Sequence, residues 1–197
     1  IGPRLMRRAG AGFLALLHVP FAIFIGVAGV AGMKQMRASV HRIATSAVLD
    51  APSRFFVLGT SDPLIGMYTP LVHMVERGSQ LRCWSMLAMT KANTLVERTG
   101  DATIVFEIEG GNMLTNPFET LAWDPAVPML VGHERTQCGA IIRVLATRDG
   151  KPSRVQTTFD QSLDGKSITL LQWKGQSLVP LRLLVGEKTR LVWEPGP

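Results

Sequence analysis

The stretch Ala9–Met33, AGAGFLALLHVPFAIFIGVAGVAGM, runs for 25 residues without a charged side chain. Arg4, Arg7 and Arg8 precede it, and Lys34, Arg37 and Arg42 follow it. A hydrocarbon core about 30 Å thick needs roughly 20 apolar residues of helix, so the stretch is long enough to span a bilayer with some tilt. Two other readings are a secretory signal peptide with small residues at Gly29, Ala31 and Gly32, and a buried helix of a soluble protein. The run exceeds both the roughly 7–15 apolar residues of a signal peptide and the length of most core helices, which favours the span. Ala22, Gly26, Ala28 and Gly32 have the four-residue spacing that lets helix backbones approach closely in lipid. Pro20 predicts a kink, and His18 reads as a neutral imidazole hydrogen-bonded inside a helix bundle.

The net charge of +6 raises the question of nucleic acid, and its distribution argues against it. Residues 1–42 hold six of the 21 Lys and Arg and no acid, and the remaining 15 match the 15 Asp and Glu of the rest of the chain. The excess therefore flanks the apolar stretch, where basic side chains meet lipid headgroups. The upstream arginines are more tightly grouped, which places the N-terminal side in the cytoplasm and the following domain outside it. Cys83 and Cys138 have no metal-binding spacing. They read first as two small buried apolar residues, with pairing open if the domain is extracytoplasmic.

Residues 34–49 continue with helical spacing at Met36, Val40, Ile43, Ala44 and Ala47. They read as a stalk at the membrane surface, giving a tether over 1–50 and a domain over 51–197. The domain opens with a short buried strand, Arg54–Leu58, a turn, and a helix over 64–77. Ser61 or Asp62 suits its cap, Pro63 its first position and Gly78 its end. Leu64, Met67, Leu71, Met74 and Val75 form the apolar stripe, and Pro70 is expected to bend or divide the helix. A second strand covers 81–89. From Thr94 onward, strands alternate with turns. Ile104, Phe106 and Ile108 form a dry face against Val105, Glu107 and Glu109. Asp149-Gly150 and Asp164-Gly165 read as hairpin turns. The fold class is α+β: one N-terminal transmembrane helix and stalk, then a strand–turn–helix unit leading into a mostly antiparallel sheet, sandwich or partial barrel.

The best candidate site is Gly59-Thr60-Ser61-Asp62, between a strand and a helix start, where exposed amides can hold an anion. It lacks the lysine and glycines of a phosphate loop, and capping accounts for Ser61 and Asp62. A nucleophilic Ser61 would need His73 or His133 beside it, which nothing in the spacing requires. Glu107 and Glu109 share a wet strand face with no partner cluster visible. Trp84, Trp123, Trp173 and Trp193 are too scattered for a stacking platform. No catalytic residue, metal ligand or cofactor is assigned.

The order RLMRRAGAGFLALLHVPFAIF, basic stalk, VLDAPSRFFVLGTSDPLIGMYTPLV, NTLVERTGDATIVFEIEGG, DGKPSRVQTTFDQSLDGKSITLLQWKGQSLVPL and VGEKTRL resembles the C-terminal portion of uncharacterised bacterial polytopic membrane proteins. Those are distantly similar to membrane glycosyltransferases that use lipid-linked sugars. The resemblance implies an accessory or interaction domain tethered to the bacterial inner membrane, with the chemistry in loops upstream. The partners expected are the bilayer, other transmembrane helices, and a glycan or protein ligand, without nucleic acid. The alternatives are a fragment of a membrane transferase, a small hydrolase using Ser61, and a secreted β-rich binding protein.

Overall fold

The computed structural model describes residues 31–115 and 127–196. The chain divides into two compact units, 1–38 with Pro197, and 39–196. In the first unit the described residues, 31–38, are helical. Residues 9–30 of the uncharged stretch, with His18, Pro20 and most of its small residues, lie outside the described residues, as does the segment around Pro117, Trp123 and Pro125. Among the described residues no helix is long and apolar enough to cross a membrane.

The second unit is an α+β body dominated by two sheets. Its strands are β1 (Arg54–Val57), β2 (Cys83–Met86), β3 (Thr94–Gly100), β4 (Thr103–Ile108), β5 (Glu134–Gln137), β6 (Ala140–Arg148), β7 (Lys151–Phe159), β8 (Ile168–Lys174), β9 (Ser177–Leu181) and β10 (Lys188–Leu191). One sheet has the order β2-β1-β8-β9 and the other β10-β3-β4-β7-β6-β5. The second sheet is antiparallel throughout. In the first, β1 runs parallel to both β2 and β8, and β9 returns antiparallel to β8. A parallel neighbour requires a crossover. The helix α1 (Pro63–Arg77) provides it between β1 and β2.

The two sheets share one apolar core. Phe56, Ile168 and Leu170 from the first sheet meet Val96, Ile104, Phe106, Ile108, Val155 and Phe159 from the second. The Phe56 and Phe159 rings pack edge-on with centroids 4.8 Å apart, a geometry favoured by the ring quadrupole. β4 keeps its expected dry face, with Ile104, Phe106 and Ile108 fully buried and Glu107 exposed, while Val105 of the expected wet face is buried as well. Strand β1 is buried on both faces, because Phe55 turns to the side opposite Phe56 and meets Trp84 of β2. That is why its sequence is a continuous apolar run.

Three points bear on the expectations. First, the second compact unit begins at Ser39. Ser39, Val40, Ile43, Ala44 and Leu49 are buried, so part of the segment read as a stalk packs into this unit, while Ala47 of the expected spacing is exposed. His73 Nδ1 bonds the Ala44 carbonyl at 2.7 Å, and Arg77 donates to the Thr45 carbonyl at 2.6 Å. Second, α1 has the expected ends: Asp62 caps it, Pro63 starts it and Gly78 closes it in the left-handed region at φ 66°. Pro70 sits inside it without dividing it. The buried face, however, is Ile65, Gly66, Thr69 and His73, and the apolar stripe faces outward. Small inward residues let the helix lie close to the sheet, where the Trp84 indole donates to the Gly66 carbonyl at 2.8 Å. Third, Asp149-Gly150 makes the β6–β7 hairpin with both residues at positive φ, but Asp164-Gly165 makes none. It lies on the crossing from β7 to β8, in the other sheet.

Candidate functional site

After β1, Leu58 makes one more sheet bond, to the Leu171 carbonyl at 2.9 Å. The chain then leaves the sheet through Gly59-Thr60-Ser61-Asp62. Ligand crevices of open parallel sheets lie at such carboxyl ends. Asp62 Oδ1 accepts from the Leu64 amide at 2.9 Å, so a carboxylate already occupies the positive end of the α1 dipole. Thr60 Oγ1 donates to the Asp62 carbonyl at 2.9 Å. Ser61 is 2% exposed, and its hydroxyl has no hydrogen-bond partner among the described residues. Gly196 lies directly over it, so that a Cβ at residue 196 would stand 2.5 Å from Ser61 Oγ.

Gly59 and Thr60 line a cavity of about 30 Å³ together with Thr90, Trp173 and Trp193. The indole N–H groups of Trp173 and Trp193 are buried without a hydrogen-bond partner among the described residues. The volume corresponds to about one water molecule and is too small for a sugar ring or a peptide side chain. The four expected site residues are thus contiguous at a strand end, two of them beside a small polar cavity and one beneath the 192–196 segment.

The imidazoles proposed as bases for Ser61 are elsewhere. His73 is buried on α1 and bound to the Ala44 carbonyl, ten residues past Pro63, or roughly 15 Å along the helix at 1.5 Å per residue. His133 stands exposed just before β5. Among the described residues no imidazole is bonded to the Ser61 hydroxyl, the contact that an activated serine needs. Glu107 and Glu109 each face an arginine, Arg154 at 3.9 Å and Arg190 at 2.6 Å. No group of three or more His, Cys, Asp or Glu that could hold a metal ion occurs among the described residues.

A larger groove of about 630 Å³ is lined by Val48, Pro52, Arg98, Lys166, Arg182 and Leu184, among others. Its size falls in the range of small-ligand sites. Arg98 is enclosed and fully committed. It donates to the carbonyls of Gly100, Leu183 and Asp101 and forks onto Asp164 at 2.6 and 2.8 Å. The bond to Asp164 holds the guanidinium pKa above its ordinary value, with burial opposing and the Asp164 and Asp101 charges assisting. The same bond holds the Asp164 carboxyl below the usual range. Arg98 therefore builds the groove floor, and the exposed charge along the groove is mixed, Lys166 and Arg182 beside Asp164 and Glu187.

The two cysteines, read first as small buried apolar residues, are instead half-buried and joined. Cys83 of β2 and Cys138, in the β5–β6 turn, form a disulfide with Cα atoms 6.0 Å apart. It connects the first sheet to the second across 55 residues of chain. Beside it, Arg54 donates to the Cys138 carbonyl at 2.8 Å and grips both oxygens of Asp160 at 2.9 and 2.5 Å. No family model, curated protein or solved structure matches the chain.

Proposed function

We propose that this chain is an extracytoplasmic accessory or interaction domain, tethered to a bacterial inner membrane by the Ala9–Met33 stretch, as the C-terminal portion of a larger multi-span protein. The observation that carries the reading is the Cys83–Cys138 disulfide between the two sheets. Structural disulfides persist in oxidising compartments and are rare in the cytosol. The charge distribution agrees, with the basic excess confined to both flanks of the apolar stretch. The groove lined by Lys166, Arg182, Asp164 and Glu187 is a concave surface of a size to take a glycan unit or a peptide side chain. The small hydrolase reading has no support at Ser61, whose hydroxyl is buried and unpaired.

Protease shaving of spheroplasts expressing the full chain tests the placement. The expected result is cleavage of the domain from outside intact spheroplasts, with the anchor fragment retained in the membrane after alkaline carbonate. Protection of the domain until the spheroplasts are lysed, or extraction of the chain by carbonate, would overturn the reading.

A further inference from the structure

The outward face of α1 has the composition of a buried surface. Met67, Tyr68, Leu71, Met74 and Val75 are between 37% and 78% exposed. With Leu64 they recur at intervals of three and four residues, so they form one stripe over three turns. From Pro63 to Val75 the helix has no Asp, Glu, Lys or Arg. Its polar residues point inward, with Thr69 bonded to the Ile65 carbonyl and His73 to the Ala44 carbonyl. An ordinary surface helix has the opposite arrangement, and an apolar face of this continuity marks a contact surface.

On the reading of Ala9–Met33 as a span, the length of the connecting chain keeps this face within reach of the membrane. The C-terminal half of α1 is bonded to residues 41–45: His73 to Ala44, Arg77 to Thr45, and Glu76 to His41 at 3.3 Å. Those residues follow Met33, the end of the uncharged stretch, by only 8 to 12 positions. Even fully extended chain limits that separation to about 40 Å. The intervening charges are Lys34, Arg37 and Arg42, all basic. Arg82 lies exposed beyond the end of α1. The acids adjoining the helix are engaged, Glu76 with His41 and Asp50 with Arg77 at 3.5 Å. Tyr68 adds the amphipathic ring that favours the headgroup level.

We propose that the Met67–Tyr68–Leu71–Met74–Val75 face of α1 lies in the interface of the same bilayer that Ala9–Met33 enters, so that the domain rests on the membrane instead of standing off it. This rests on the reading of Ala9–Met33 as a span. The face sinks roughly 5–10 Å into the headgroup boundary, the depth of interfacial helices. The basic flanks favour anionic lipid.

The test uses the full chain in vesicles of phosphatidylcholine and phosphatidylglycerol. Its two natural cysteines are joined to each other, so a single introduced cysteine can be labelled alone with an environment-sensitive fluorophore. Three variants are compared: Leu71→Cys on the face, Ile25→Cys in the apolar stretch, and Lys188→Cys on β10. Lipids bearing a nitroxide near the glycerol are expected to quench the label at residue 71 by on the order of half, given its interfacial depth. The label at residue 25 should be quenched by nitroxides deep in the acyl chain, and that at residue 188 by neither. Quenching at 25 without quenching at 71 would overturn the docking proposal and leave the span standing. Absence of quenching at both would overturn the span and the docking with it. A label at 71 shielded from aqueous iodide but unquenched by lipid would mean that protein, a second copy or another part of the chain, covers the face, and would also overturn it.

Discussion

Arg54 and Cys83 stand opposite each other in the parallel β1–β2 pair, and both reach the same residue of the other sheet, Cys138. Cys83 does so through its sulfur and Arg54 through a hydrogen bond to the carbonyl at 2.8 Å. A covalent and a polar tie thus close the same corner of the two-sheet body, next to the Asp160 carboxylate. The shared core holds the sheets together over their faces, and this corner fixes their offset.

Removing the covalent tie should weaken the domain without abolishing its fold. A separation of 55 residues corresponds to about 4 kcal/mol of loop-closure entropy in the unfolded chain. The Cys83→Ser, Cys138→Ser double variant should therefore show a lower midpoint in urea, with near-native circular dichroism before the transition. A midpoint unchanged from wild type would show that the crosslink does not constrain the unfolded chain.

The polar tie should be visible as pH dependence. The hydrogen bond from Arg54, aided by its charge and opposed by desolvation, holds the Asp160 carboxyl below its ordinary value of 3.8. A depressed carboxyl contributes stability that is fully present above its unfolded pKa and is lost as pH falls through the folded one. Asp160→Asn should therefore destabilise the domain at neutral pH. The gap between wild type and variant should close as pH drops below about 4. Urea melts from neutral to strongly acidic pH would show it, and a gap constant with pH would exclude the ion pair as its source.

Gly139 has no room for a side chain. It sits at φ 75°, and a Cβ there would meet Arg54 Nη1 and come within 2.5 Å of Asp160 Oδ2. Gly139→Ala should cost more than the roughly 1 kcal/mol typical of alanine in the left-handed region, because the ion pair must open as well. Gly66→Ala is the contrasting case. Its Cβ would press on Met86, with Sδ at 2.7 Å, but that thioether is flexible and alanine restores about 1 kcal/mol of helix propensity. Thermal melts of the two variants should separate them clearly.

Arg98 should tolerate no ordinary replacement. Its 2% exposed side chain serves three backbone carbonyls as well as Asp164. Arg98→Met leaves those carbonyls without their donor and should cost on the order of 3 kcal/mol. Arg98→Lys should rescue little, since an ammonium cannot reproduce the planar fork. A lysine variant as stable as wild type would contradict the assignment of Arg98 as the groove's fixed floor.

Local chemistry made much of the fold legible. The ends of α1 follow from Asp62, Pro63 and Gly78, and the dry face of β4 from simple alternation. What stayed hidden depends on distant pairing. Nothing local in Ile168–Lys174 distinguishes a strand paired parallel to β1 from one closing a hairpin after Asp164-Gly165. The apolar period of α1 was legible, but not that it faces outward, because the approach of the helix to β2 is made at Gly66, against Met86 and Trp84. The Gly59–Asp62 corner was legible as a helix cap, but its burial beneath Gly196 was not, since 135 residues separate Ser61 from that glycine. Two cysteines 55 residues apart carry no spacing signal, and only the approach of the two sheets pairs them.

The redox state of Cys83 and Cys138 in the cell tests the central claim most directly. Cells expressing the full chain are quenched in acid, and the chain is alkylated before and after reduction and weighed by mass spectrometry. A domain that works outside the cytoplasm should take up no alkyl group until it is reduced, and then two. Alkylation of both cysteines without reduction would contradict the extracytoplasmic assignment and the account built on the disulfide.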